Sequence, residues 1–113
     1  MAGNTREFTD ANFQSEVIQS SLPVVVDLWA DWCAPCRALA PTIEALAEEL
    51  SGTVTIGKMD ITANPQTPSS MGVTAIPTIL LFQGGKEVGR IVGSGKTPDD
   101  YKAEFSKTFG VSV

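Results

Sequence analysis

Trp32-Cys33-Ala34-Pro35-Cys36-Arg37 holds both cysteines of the chain, with two residues between them. An apolar run, Val24-Val25-Val26-Asp27-Leu28-Trp29-Ala30, leads into it. A helical pattern carried by Leu39, Ile43, Leu46 and Leu50 leads out. A Cys-x-x-Cys between a strand and a helix has a direct physical consequence. Where the first cysteine opens the helix, unpaired backbone N–H groups and the positive end of the macrodipole point at its sulfur. That favours the thiolate, which is the form that attacks disulfides. Cys36, one turn further on, can close a short ring with Cys33, so the pair can switch between dithiol and disulfide at small geometric cost.

Asp27 is the next informative residue. Side chains alternate along a strand, so Asp27 shares a face with Val25 and Trp29, while Val24, Val26 and Leu28 take the other. With both faces apolar, the run reads as a strand covered on both sides. A carboxylate there is largely desolvated, and its pKa rises toward neutrality. Such an acid, at the strand end that feeds the active-site turn, can take a proton from Cys36 and return it. The competing reading is an edge strand with Asp27 turned to solvent. Lys58 is the other candidate charge, with a solvated surface lysine as its plain alternative.

Outward from this centre, residues 1–8 hold a weak edge-strand pattern. Thr9 or Asp10 caps a helix running to about Ser20, with Phe13, Val17 and Ile18 on its buried face. Leu22-Pro23 ends it. Pro41 interrupts the helix after Cys36 and should kink it, and Ser51-Gly52 closes it. Thr53 to Asp60 reads as a second strand parallel to the first, because a helix separates them. Asn64-Pro65 opens a short helical stretch ending near Gly72. Ile79 to Phe82 is a buried strand, and Gly84-Gly85 turns it into Glu87 to Val92. Thr97-Pro98-Asp99-Asp100 starts a helix, with Tyr101, Phe105 and Phe109 as its buried stripe. The order βαβα(α)ββα gives an α/β fold, a mixed sheet with helices on both faces.

At 113 residues the chain makes one domain, spanning 1–113, with enough length for a core of its own. No apolar run approaches a membrane span of roughly 20 residues. The N-terminus lacks the layout of a signal peptide, which makes the cytoplasm the expected compartment. There a CxxC reads as redox-active or metal-binding rather than as a structural staple. A net charge of −5 argues against nucleic acid or an anionic membrane as partner. The chain has no histidine, which excludes any imidazole base or histidine metal ligand. Zinc usually needs four Cys or His ligands, and only two cysteines are present, so no metal is expected. Two inert core cysteines are the remaining plain alternative. Ile76-Pro77 stands just before a buried strand, where proline belongs. Only about 5–6% of X-Pro bonds in folded proteins are cis, so the residues alone favour trans there.

Val26 to Arg37, Pro41, Asn64-Pro65, Ile76-Pro77-Thr78 and Gly93 together resemble the thioredoxin family over nearly the whole chain. The resemblance implies the thioredoxin fold, a central mixed five-stranded sheet flanked by four helices. It implies a protein disulfide reductase that works on disulfide-containing target proteins and is restored by thioredoxin reductase. No cofactor is implied beyond a redox-active Cys33–Cys36 disulfide. By position, Cys33 becomes the nucleophile, Cys36 the resolving thiol, Asp27 the buried acid and Lys58 the charge that pairs with or tunes it. Pro77 becomes a cis-proline facing the cysteines. Trp32, Ile61, Ala75, Ile76, Val92 and Gly93 become the apolar rim that receives the substrate chain, partly by strand-like pairing at Ile76. Ala34 and Pro35 lie where the family tunes its potential. Alanine at 34 replaces the family's usual glycine and is the better helix former by about 1 kcal/mol. Arg37 replaces the commoner lysine and keeps its charge.

The expected function is therefore a monomeric cytoplasmic dithiol reductant. An oxidant or isomerase of the same fold is the second redox reading, and needs an oxidising compartment. A cation between the cysteines would favour the thiolate and hence the reduced form, so the absence of histidine there suits a reductant. A non-catalytic interaction module is the third reading. It would have lost the residues named above, and all of them are present.

Overall fold

A computed structural model describes residues 5–113. The chain runs β1 (Arg6–Glu7), a π-helical segment (Gln14–Ile18), β2 (Val24–Trp29), α1 (Ala34–Glu49), β3 (Thr55–Asp60), α2 (Gln66–Ser70), β4 (Thr78–Gln83), β5 (Lys86–Val92) and α3 (Pro98–Phe109). The strands form one mixed sheet in the order β1-β3-β2-β4-β5. β1, β3 and β2 run parallel, whereas β4 is antiparallel to both β2 and β5. This is the thioredoxin fold that the resemblance implied. Residues 1–4, which carry the first half of the expected edge strand, lie outside the described residues.

The apolar run that leads into the cysteines is the middle strand, which explains its composition. Val24 to Leu28 are all buried. Directly paired residues share a sheet face, so the ladder divides the core into two layers. Val25, Ile56, Ile79, Leu81 and Ile91 face α1 and α3, and meet Leu39, Ile43 and Leu46 from one helix and Tyr101, Phe105 and Phe109 from the other. Val24, Val26, Leu28, Met59, Leu80 and Phe82 face the opposite way, against Phe8, Phe13 and Val17. Gly57 is required beneath Phe8. A Cβ at that position would stand 2.5 Å from the Phe8 ring and 2.8 Å from the Arg6 carbonyl oxygen.

The first helical segment departs from expectation. In place of a regular helix to Ser20, Gln14–Ile18 is wound as a π-helix, with the Gln19 N–H donating to the Gln14 carbonyl. Phe13 and Val17 are buried as predicted, and Ile18 is half-buried against the same layer. The winding is invisible to a hydrophobic pattern, because Phe13 and Val17 are buried either way. Thr9 caps only the turn that leads into the helix, whose N-cap position is Phe13 with no side-chain cap: Thr9 Oγ1 accepts from the Asn12 N–H while Asn12 Oδ1 accepts from the Thr9 N–H. Asp10 does not cap the helix either. Its carboxylate accepts from the N–H groups of Gln66 and Thr67 and so caps α2, which has no side-chain cap of its own. The Thr67 side chain first, and then these backbone bonds, hold the Asp10 carboxyl below the usual carboxylate range.

α1 continues through Pro41, whose missing N–H removes one intrahelical donor. α3 begins as expected, with reciprocal bonds between Thr97 and Asp100, and ends at Gly110 in the left-handed conformation.

Candidate active site

The end of β2 passes into α1 through Ala30 to Cys33, and Cys33 occupies the N-cap position. Its Sγ accepts from the Cys36 N–H at 3.3 Å. The local sequence explains that choice of donor. An N-cap side chain bonds the N–H of the second or third helical residue, and the second here is Pro35, which has none. The Cys36 N–H is therefore left to the sulfur. Cys33 and Cys36 are joined as a disulfide, both buried, against Ala30 and the half-buried Trp29, Ile61 and Ile76. Ala34 and Pro35 are exposed between them.

Cys36 is also the first residue of α1's buried stripe, followed by Leu39, Ile43, Leu46 and Ala47. That stripe covers the sheet face that carries Asp27. The Asp27 carboxyl is 2% exposed, and its Oδ1 has no protein hydrogen-bond partner. Burial pushes its pKa up to about 7, with the Lys58 charge acting in the opposite direction. Because β2 is central, the edge-strand alternative for Asp27 falls. Lys58 is the direct register partner of Asp27 across the β2–β3 ladder and is half-buried. Its ammonium lies 5.1 Å from the centre of the Trp29 ring, a cation–π distance.

The Ile76–Pro77 peptide is cis, against the general preference and as the resemblance implied. Pro77 is buried, and its carbonyl accepts from the Gly93 N–H at 2.8 Å. Val92 pairs with Thr78, so Val92 and Gly93 flank the proline from β5. Among the described residues, the Ile76 backbone takes no part in the sheet ladders and forms no other backbone bond. Trp32, 69% exposed, walls a shallow groove of about 370 Å³ together with Ile61, Pro68, Val73, Thr74, Ala75 and Ile76. Four of these were expected rim residues. Pro68, Val73 and Thr74 were not, because nothing in their local pattern signals that α2 and the loop after it fold back beside Trp32. Val92 and Gly93 lie outside the groove's walls, although Val92 is 63% exposed. A second depression of about 390 Å³, lined by Thr5, Arg6, Leu22, Ser51 and Thr55 among others, sits at the far end of the sheet where β2 and β3 begin.

Among the described residues, no group of three or more histidine, cysteine or acidic side chains could hold a metal ion. None of the described helices is long and apolar enough to cross a membrane.

Comparison with known proteins agrees with this geometry. The thioredoxin family model matches residues 4–106. The chain is 47% identical over 89 residues to a thioredoxin of Alicyclobacillus acidocaldarius, covering 79% of this chain and 84% of that one. It is 46% identical over 93 residues to a thioredoxin of Rickettsia felis, covering 82% and 86%. A bifunctional thioredoxin reductase/thioredoxin of Mycobacterium leprae is 47% identical over 93 residues, which are 82% of this chain and 20% of that longer protein.

Proposed function

The chain belongs to the thioredoxin family and is a protein-disulfide oxidoreductase whose redox group is the cysteine pair itself, and from that premise we propose that it works as a reductant of protein disulfides. One observation carries the exchange chemistry: Cys33 Sγ caps α1 and accepts the Cys36 N–H. The same bond and helix terminus favour a thiolate on Cys33 once the pair is reduced. The direction rests on the family and on the lack of a cation between the cysteines, which would favour the reduced form.

The reaction is two exchanges. The Cys33 thiolate attacks one sulfur of the target disulfide, forming a mixed disulfide and expelling the other target sulfur as a thiolate. Cys36 then gives up its proton and attacks Cys33 Sγ. The Cys33–Cys36 disulfide forms, the second target thiolate leaves, and two electrons have passed from the pair to the target. Asp27 is the proton acceptor for Cys36. An acid near 7 populates both protonation states at neutral pH, so it can accept the proton here and return it when the pair is reduced again. Lys58 tunes Asp27 through its charge.

The groove beside Trp32, Ile61, Ala75 and Ile76 receives the target chain, and the unpaired Ile76 backbone offers it strand-like bonds. Pro77, Val92 and Gly93 complete the rim. A thioredoxin reductase restores the dithiol; the relative from M. leprae, named for both activities, supports that pairing. The protein acts as one domain over residues 1–113, as a monomer, in the cytoplasm.

Titrating the reduction potential of the pair against a dithiol buffer tests the direction. A potential below the glutathione pool, about −220 to −260 mV by extraction, is expected of a reductant. A value near the about −120 mV of a strong oxidant would overturn it.

A further inference from the structure

Three of the buried polar atoms that lack a protein partner lie on the sheet face under α1 and α3. They are Asp27 Oδ1, Trp29 Nε1 and the Tyr101 hydroxyl. Tyr101 is fully buried, yet the sequence assigned it only to an apolar stripe. A phenol in such a position is costly unless its oxygen finds a polar neighbour.

The packing of α3 shows which neighbour is in reach. The helix is pinned at its C-terminal end, where Gln83 Nε2 donates to the Phe109 carbonyl. One residue earlier, Thr108 rests over Gly89, so closely that a Cβ there would stand 3.2 Å from its methyl group. Gly89 is the register partner of Leu81, and Leu81 of Val25. The end of α3 is therefore level with Val25. α3 starts after β5 reaches the cysteine end of the sheet, so tracing it backwards from Thr108 climbs toward the cysteines. Tyr101 is seven residues before Thr108, about 10 Å up the axis at 1.5 Å per residue. Asp27 is two residues beyond Val25, about 7 Å up the strand. Both groups sit in the upper half of the same layer.

We propose that Tyr101 is a positioning residue for the buried acid, its hydroxyl linked to the Asp27 carboxyl through one bridging water. This rests on the reading of Asp27 as the proton acceptor. A phenol suits both states of that acid, because it donates to the carboxylate and accepts from the carboxylic acid, whereas the Trp29 indole can only donate. Lys58 pairs with Asp27 from β3, α1 brings Cys36 on the stripe that covers this face, and β4 and β5 contribute only Ile79 and Ile91. The Asp27 charge, after burial, is also what pushes the Tyr101 phenol upward.

The test is a pH titration of the Asp27 carboxyl carbon by NMR in the oxidised protein and in Tyr101→Phe, which keeps the ring. Donation to the carboxylate is the stronger of the two bonds, so its loss should move the Asp27 midpoint upward by about one unit. Tyr101 is the only tyrosine, so its ionisation can be followed by ultraviolet absorbance. In Asp27→Asn that ionisation should fall to lower pH. A neutral-range Asp27 midpoint that does not move in Tyr101→Phe, or a phenol indifferent to Asp27→Asn, overturns the link alone. An Asp27 that titrates in the ordinary carboxylate range overturns the acid reading and the link with it.

Discussion

Asp27 and Lys58 face each other directly across the β2–β3 ladder, yet the Lys58 ammonium lies over the Trp29 ring and forms no ion pair with the carboxylate. A closed pair would hold Asp27 ionised and useless as a proton carrier at neutral pH. With the ammonium over the indole, its charge only moderates the effect of burial, and Asp27 stays near 7.

That position makes the acid a liability for stability above neutrality. The folded-state value of about 7 exceeds the reference of 3.8, so the native state binds the proton more tightly than the unfolded chain. Both states are protonated below about pH 4, and there the residue makes no difference. As pH rises from about 4 to 7 the unfolded chain ionises first and stability falls, by up to about 4 kcal/mol. Asp27→Asn should therefore be more stable than the parent at pH 8 and nearly equal at pH 3. Denaturant unfolding at the two pH values checks this, and a stability gain of equal size at both would contradict the raised value.

Removing the charge at Lys58 should push Asp27 higher still. In Lys58→Met the Asp27 midpoint rises, and the pH dependence of mixed-disulfide resolution moves the same way. The reading is an NMR titration beside a rate–pH profile. A downward shift would mean that the lysine acts through some other contact.

The two cysteines should fail differently. Cys33→Ser loses the nucleophile, and turnover of a protein disulfide drops to the uncatalysed background. Cys36→Ser still attacks but cannot resolve, so it accumulates as a mixed disulfide with its target, visible by mass spectrometry. Normal turnover by Cys36→Ser would refute the two-exchange mechanism.

Ala34 is the first helical residue after the cap and is exposed. Ala34→Gly should cost up to about 1 kcal/mol of stability through helix propensity alone. Were all of that confined to one redox state, the potential would move by about 20 mV. Thermal unfolding of both redox states, with the potential measured alongside, separates the two effects. A larger shift in potential would show that residue 34 acts on the sulfurs by more than firming the first turn.

Trp32 projects into solvent beside the groove, so its loss should hardly touch the fold. Trp32→Ala is expected within about 0.5 kcal/mol of the parent in stability. The KM for a folded protein disulfide should rise, while that for a small disulfide should not. A parallel loss on both substrates would place Trp32 in the chemistry rather than in target binding.

Much of this protein could be read along the chain, because the deciding features are local. The Cys-x-x-Cys, the strand before it and the helix after it interact over a few residues, and Pro35 dictates the donor to Cys33 within a single turn. The buried state of Asp27 follows from the apolar residues on either side of it. The thioredoxin resemblance supplied what local physics could not, including the cis bond at Ile76–Pro77. Tertiary structure alone decided the rest, where the partner lies far away in sequence. Asp10 caps a helix 56 residues later, and the π-winding of Gln14–Ile18 leaves no trace in a hydrophobic pattern. Pro68, Val73 and Thr74 become walls of the groove only when the chain returns beside Trp32. Lys58 meets Trp29 rather than Asp27 because register sets the faces but not the end of a long flexible side chain. Tyr101 read as one more core aromatic, since a sequence reports that a ring is buried and not where its hydroxyl points.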